Sequence, residues 1–167
     1  MPTKFPERIL VTLNDAEVDL GINIGKTRFK PKENFDDPTN GFHSVKNGDT
    51  LHIPGALAEL AVAKYRGWDI DRNFYGKRGD DGVDFVVNGS KIDVKAAQYS
   101  PIVLKFNSAE HIRSDWIIGC YIPEYSKVWI CGYVSAAEYI NNHYKHDYGH
   151  GERLCLKESQ LRSMKTA

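Results

Sequence analysis

Asn88-Gly89, set between two runs of β-forming residues, constrains the fold more than any other feature of the chain. An Asn-Gly pair between alternating apolar residues is the strongest short-range signal for a two-residue hairpin, because both turn positions need positive φ. Such a turn pairs Val87 with Ser90, Val86 with Lys91 and Phe85 with Ile92, and it sets Asp84 opposite Asp93. In that register Val83, Phe85, Val87, Ile92 and Val94 share one face, while Asp84, Asp93 and Lys95 share the other. Cross-strand neighbours sit about 5 Å apart at Cβ, where like charges repel. A sheet gains nothing structural from two aspartates there. A hard divalent cation such as Mg²⁺ or Mn²⁺ supplies a reason, since carboxylate oxygens suit it. Lys95 points to the same face, where it can reach a phosphate oxygen or an attacking water. The plainer alternative is a solvated face on which Lys91 and Lys95 offset the two acids.

Glu59 adds to the acidic side of the ledger. The stretch from Pro54 to about Arg66 is the strongest helix signal, with Pro54 suited to the first helical position, Ala and Leu as good fillers and Gly67 as a stop. Glu59 is the only charge between Pro54 and Ala63, and its helical neighbours are Gly55, Ala56, Val62 and Ala63. A small, apolar face of this kind packs against a sheet. An unpaired carboxylate on it would cost several kcal/mol, of the order of burying any charge without a partner. A metal or a cationic partner such as Arg66 removes the conflict.

The rest of the chain supplies the frame. Asn14-Asp15-Ala16-Glu17 reads as a capped, acidic helix start, and Ala16, Leu20 and Ile24 carry the helix to about residue 27 or 29, with Gly21 and Gly25 weakening it. Residues 31–50 are polar and rich in Asn, Asp, Gly and Pro, which predicts a long loop, either a substrate-facing flap or a connector. Strands are expected at 83–87, 91–97, 102–106, 115–122 and 127–133. A short helix is expected at 135–143 and a last strand at 154–156. Helices followed by strands and a closing helix indicate an α/β (α+β) class.

Composition narrows the function classes. A length of 167 residues suits a single domain spanning 1–167. The 22 Lys+Arg balance 22 Asp+Glu, so any nucleic-acid contact needs a local basic patch rather than a basic coat. No apolar run is long enough for a bilayer and no secretory leader is evident, so neither a membrane partner nor export is expected. Cys120, Cys131 and Cys155 lack any Cys-x-x-Cys spacing and read as reduced, packed thiols of a cytoplasmic protein. Phosphate-loop, dinucleotide-fold and zincin motifs are lacking, which argues against a nucleotide cofactor.

The order of helix-borne Glu59, Gly82-Val83-Asp84 and Asp93-Val94-Lys95 resembles the PD-(D/E)XK nuclease superfamily, over about Pro54 to Gln98. The following strand at 115–122 and the helix near 135–144 fit that family's element order. The segment 151–164 is similar to the closing strand and Leu-Arg tail of small phage-type members. One departure is Val83, where the family's proline normally precedes the first aspartate. Asp80 and Asp81 are alternative first aspartates, ranked below Asp84 because their spacing puts them on the turn into the strand.

The resemblance implies a restriction-endonuclease-like fold, a central mixed sheet flanked by helices. It also implies Mg²⁺-dependent hydrolysis of DNA in the cytoplasm of a bacterium or a phage-infected host cell. Asp84 and Asp93, helped by the Val94 carbonyl, would hold the metal. Glu59 would complete or bridge the site, Lys95 would orient or activate the water, and Gln98 is a secondary polar candidate. Many such relatives act as homodimers. Phosphodiester cleavage needs an in-line water and charge neutralisation at the phosphoryl group, which hard cations provide. From other classes, the alternatives are a non-catalytic nucleic-acid-binding module on the same fold or an RNA-processing nuclease.

Lys64, Arg72, Lys77, Arg78, Lys105 and Arg113 are the candidate DNA-facing cations. His143, His146 and His150, with Tyr144 and Tyr148, could grip phosphate or stack on bases, although Gly149 and Gly151 make the stretch read as a polar loop. Trp68, Trp116 and Trp129 are expected to pack in the core or at its rim.

Overall fold

A computed structural model describes residues 5–28, 38–68 and 83–166. The hairpin forms in the expected register. Strands β2 (Phe85–Val87) and β3 (Ser90–Ala97) pair Phe85 with Ile92, Val86 with Lys91 and Val87 with Ser90. Asn88 and Gly89 take φ of 52° and 82°, as a turn of this kind requires.

Strand β3 then pairs in parallel with β5 (Trp116–Glu124), which returns antiparallel through β6 (Lys127–Ser135) to the edge strand β1 (Ile9–Thr12). The result is a five-stranded mixed sheet in the order β1-β6-β5-β3-β2. A second, three-stranded antiparallel sheet runs β4-β8-β7, from Val103–Phe106, Glu152–Lys157 and Tyr144–Asp147. The class is mixed α/β.

Two apolar cores sandwich the large sheet. On one side Ala56, Leu57, Leu60 and Ala61 of a long helix meet Ile92, Val94, Ile118, Cys120 and Ile130. On the other, Ile117 and Val134 meet Leu104, Phe106, Leu154 and Leu156 of the small sheet. Gly119 permits that second approach, since a Cβ there would lie 2.6 Å from the Ile102 Cδ1. Among the described residues no helix is long and apolar enough to cross a membrane.

Helix α1 (Asp15–Arg28) starts as expected. The Asn14 side chain accepts from the Glu17 N–H (2.8 Å), and the Glu17 carboxylate accepts from the Asn14 N–H (2.9 Å). The same reciprocal cap, from Ser135 and Glu138, opens α3 (Ala136–Asn142). Helix α2 departs from expectation. It runs Pro38–Arg66, so much of the anticipated 31–50 loop is helical and Pro54 lies inside the helix instead of opening it. Residues 31–37 lie outside the described residues. A proline within a helix removes one backbone hydrogen bond, and here the helix continues because α1 packs alongside. At its far end Gly67 takes φ of 71° and the Trp68 N–H donates to the Ala63 carbonyl (2.9 Å), which stops the helix where the sequence suggested.

Gly21 and Gly25, which lower helix propensity, are the contact between α1 and α2. A Cβ at Gly21 would collide with the Leu57 side chain, and one at Gly25 would lie 2.7 Å from the Ile53 Cα and 2.8 Å from its nitrogen. Gly25→Ala therefore sets two effects of opposite sign against each other. Helix propensity alone would stabilise by about 1 kcal/mol, while forcing the helices apart costs about 1–3 kcal/mol. The collision is with backbone, so a net loss in the urea midpoint is expected. A stabilised variant would show that the helices do not pack this closely.

The His-rich stretch is a hairpin rather than the polar loop its composition suggested. Tyr144–Asp147 forms β7, and the Asp147 carboxylate accepts from the N–H groups of Gly149 (2.7 Å) and Gly151 (3.2 Å) to close the turn into β8. The glycines serve that turn with φ of 105° and 100°.

Candidate active site

The acids that the sequence singles out come together, though not quite as the hairpin alone predicts. Regular pairing ends at Phe85. The Asp84 N–H donates to the Ile92 carbonyl (2.7 Å), so Asp84 and Phe85 both sit against Ile92, and Asp84 is not squarely opposite Asp93. Two residues facing one is the arrangement of a β-bulge, which bends a strand and re-aims its side chains. The consequence is visible at once. The Asp84 carboxylate reaches the side of β3 beyond the end of β2 and accepts from the Val94 N–H (2.7 Å).

From that edge Asp84 links two layers. Ile92 and Val94 turn toward α2, so Asp93 and Lys95 lie on the opposite side of β3. Glu59, on α2 and 2% exposed, hydrogen-bonds to Asp84, and Asp84 in turn hydrogen-bonds to Asp93, which is 4% exposed. The Lys95 ammonium stands 3.3 Å from the Asp93 carboxylate and 4.9 Å from the centre of the Phe106 ring. Phe106 is itself held edge-on by Tyr139, whose hydroxyl donates to the Leu104 carbonyl (2.8 Å). Lys95 is thus backed by the second sheet.

Burial and mutual repulsion set the protonation of this cluster. Burial, then the neighbouring Glu59, hold the Asp84 carboxyl well above the ordinary carboxylate range, against the opposing Val94 N–H. Burial also raises Asp93; the Lys95 ammonium opposes the rise, Asp84 adds to it, and the net result is about 7. Near neutrality Asp84 and Asp93 share protons instead of both being charged. Perturbed carboxylates in one place are a common mark of a functional site.

The metal set implied by the resemblance is only partly assembled. Among the described residues, no group of three or more His, Cys, Asp or Glu side chains is placed to hold a metal ion. The hydrogen-bonded pair Asp84 and Asp93 remains, and its oxygens suit a hard cation. Mg²⁺ commonly takes one or two carboxylates and keeps water in its other positions. The fit is therefore to a two-aspartate site, with Glu59 behind Asp84.

The outer candidates fare unevenly. Gln98 is exposed on the bend after β3. The Lys64 ammonium donates to the Thr12 carbonyl (2.9 Å) and to Glu17 (2.8 Å), which makes it a tie between α2 and the N-terminal segment. Lys105 stands against two tyrosine rings, and Arg113 is exposed. Arg72, Lys77, Arg78, Asp80 and Asp81 lie outside the described residues. Arg66, the alternative partner for Glu59, lies over the Trp68 ring (5.6 Å).

Trp68 packs on Phe85 (5.2 Å) and Trp116 on Tyr133 (5.7 Å), as rim packing predicts. All three cysteines are free and buried. Burial, then Glu158, push the Cys131 thiol to about 12, and burial holds Cys120 well above the ordinary thiol range, so neither offers a thiolate nucleophile. Sequence reasoning missed the bulge at Asp84 and the backing of Lys95 by Phe106. The bulge lies within the hairpin but leaves no mark in the alternation of residue types, and Phe106 is seated by pairing with Leu154, on a strand far along the chain.

No family model matches the chain, and no curated protein or solved structure matches it.

Proposed function

We propose that this chain is a Mg²⁺-dependent nuclease with a restriction-endonuclease-like architecture. The observation that carries the proposal is the run of buried acids Glu59–Asp84–Asp93 with Lys95 alongside, built where β3 joins an antiparallel hairpin to a parallel neighbour. A fold that needed only stability would gain by replacing such a cluster with apolar residues. Asp84 and Asp93 would hold the ion, with the Val94 carbonyl that the resemblance adds. Mg²⁺, when bound, neutralises charge on the phosphoryl oxygens and makes its water more acidic. Glu59 fixes the rotamer of Asp84 through their hydrogen bond. Lys95, more than a third exposed, extends past Asp93 to donate to a phosphoryl oxygen or to the attacking water. DNA is the proposed substrate.

A second reading, a binding module without catalysis, draws on the lack of a three-acid metal group among the described residues. Incubation with linear, nicked, branched and single-stranded substrates separates the two. Cleavage is expected with Mg²⁺ or Mn²⁺ and not in EDTA, and Ca²⁺ is expected to support binding more than turnover because its coordination is looser. Binding with no cleavage under any divalent ion would move the assignment to the second reading.

A further inference from the structure

The outer face of the small sheet has a composition that neither the cores nor the acidic site explains. Its inner face supplies Leu104, Phe106, Leu154 and Leu156 to the second core. Strand registers place Lys105 beside Cys155, Cys155 beside Tyr144 and Val103 beside Lys157, all on the face away from that core, where Cys155 itself is covered. The strand positions on this face include Lys105, Arg153 and Lys157 and no Asp or Glu. In a chain of zero formal charge that is a local positive patch.

Aromatic rings stand among these cations. Tyr99 and Tyr148 are 46% and 47% exposed, and the Lys105 ammonium lies 5.1 Å and 4.2 Å from their ring centres. Their hydroxyls are tethered as well. The Tyr99 hydroxyl donates to the Val103 carbonyl (3.3 Å), and the Tyr148 hydroxyl lies 3.9 Å from the Cys155 Sγ. Lys157 stands 5.7 Å from the centre of the Tyr144 ring. The rings are therefore held in place while much of their surface faces solvent.

We propose that this face binds single-stranded nucleic acid, stacking bases on Tyr99 and Tyr148 and drawing phosphates to Lys105, Arg153 and Lys157. Held aromatic rings with interleaved cations, and no acid at the described strand positions of the same face, form the combination that binds unpaired strands with little sequence preference. A duplex keeps its bases stacked and cannot use the rings. The proposal rests on the nuclease reading only for the choice of polymer.

The test uses the full chain carrying Asp84→Asn, in EDTA, with a fluorescein-labelled oligothymidylate followed by anisotropy. Tyr148→Ala and Tyr99→Ala are each expected to weaken binding about tenfold, in line with one lost stacking partner. Tyr148→Phe should bind as the parent does, and Lys105→Ala should lower the slope of log affinity against log salt by about one. Tyr148 sits in a turn, and Tyr148→Phe with Lys105→Ala keeps the test open if an alanine variant folds poorly. The proposal is overturned if the tyrosine variants bind like the parent, if a duplex of equal length binds as tightly, or if an acidic peptide displaces the strand equally well. Strand binding without any cleavage would leave this face standing and remove the nuclease reading; cleavage with indifferent tyrosine variants would do the reverse.

Discussion

If Asp93 holds the metal as proposed, Asp93→Asn abolishes cleavage and, in EDTA at about pH 8, melts at a higher temperature than the wild type. The carboxyl of Asp93 is raised from 3.8 to about 7 in the fold. For an acid raised in this way, the favourable contribution is complete below its unfolded value and is lost as pH rises through the folded one. The metal-free protein therefore loses stability between about pH 4 and pH 7, and the neutral amide removes that loss. Losing the Lys95 pairing subtracts from the benefit, which leaves an expected gain of about 2 kcal/mol. Mg²⁺ should raise the melting temperature of the wild type at the alkaline end and do little at the acid end, because protons then occupy the ligands. Lys95→Ala should lose about 3 kcal/mol of transition-state stabilisation, a fall of two orders of magnitude, while this Mg²⁺-dependent shift survives. A destabilised Asp93→Asn, or an Lys95→Ala enzyme of nearly full activity, would count against the proposed site.

Arg8→Ala should lose about 3 kcal/mol of stability, as expected when one partner of a buried ion pair is removed. The Arg8 guanidinium grips Glu158 through two hydrogen bonds of 2.7 Å, and the Ile102 N–H donates a third (3.0 Å) to the same carboxylate. Burial alone would raise Glu158; the Arg8 fork and the Ile102 N–H outweigh it and bring the carboxyl below its usual range. With its affinity for protons lowered, Glu158 contributes stability above the unfolded value of about 4.5, and that contribution fades as pH falls through the folded value. Removing Arg8 leaves a buried charge with one backbone donor. Adding Glu158→Gln should restore part of the loss, since a neutral amide oxygen still accepts from Ile102. Urea melts near neutrality measure both, and a loss in Arg8→Ala no larger than about half a kcal/mol would mean the pair behaves as an exposed one.

What the sequence made legible was local. The hairpin register followed from Asn88-Gly89, the starts of α1 and α3 from Asn14 and Ser135, and the end of α2 from Gly67. Strand β1 was missed because four residues show too little alternation, and its partner β6 lies far along the chain. Strand β7 was missed because Tyr-Lys-His-Asp is an exposed edge with no apolar period. The reach of α2 back to Pro38 was hidden by Asn and Gly, whose weak helix propensity reads locally as a loop. In the candidate site, residue types and rough proximity were readable, while the tilt of Asp84 was not. The bulge that causes it replaces the expected facing pair with a carboxylate on a backbone N–H.

The order β4-β8-β7 also dictates a sequence of events during synthesis. Strands β2 and β3 can zip as soon as both have emerged, which gathers Asp84 and Asp93 early. Among the described residues β4 pairs with β8 alone, and a nascent chain must extend past Lys157 before that partner exists. Phe106, on which the Lys95 ammonium rests, therefore takes its final seat among the last parts of the molecule. A polypeptide released early would carry its acids assembled and its lysine unsupported.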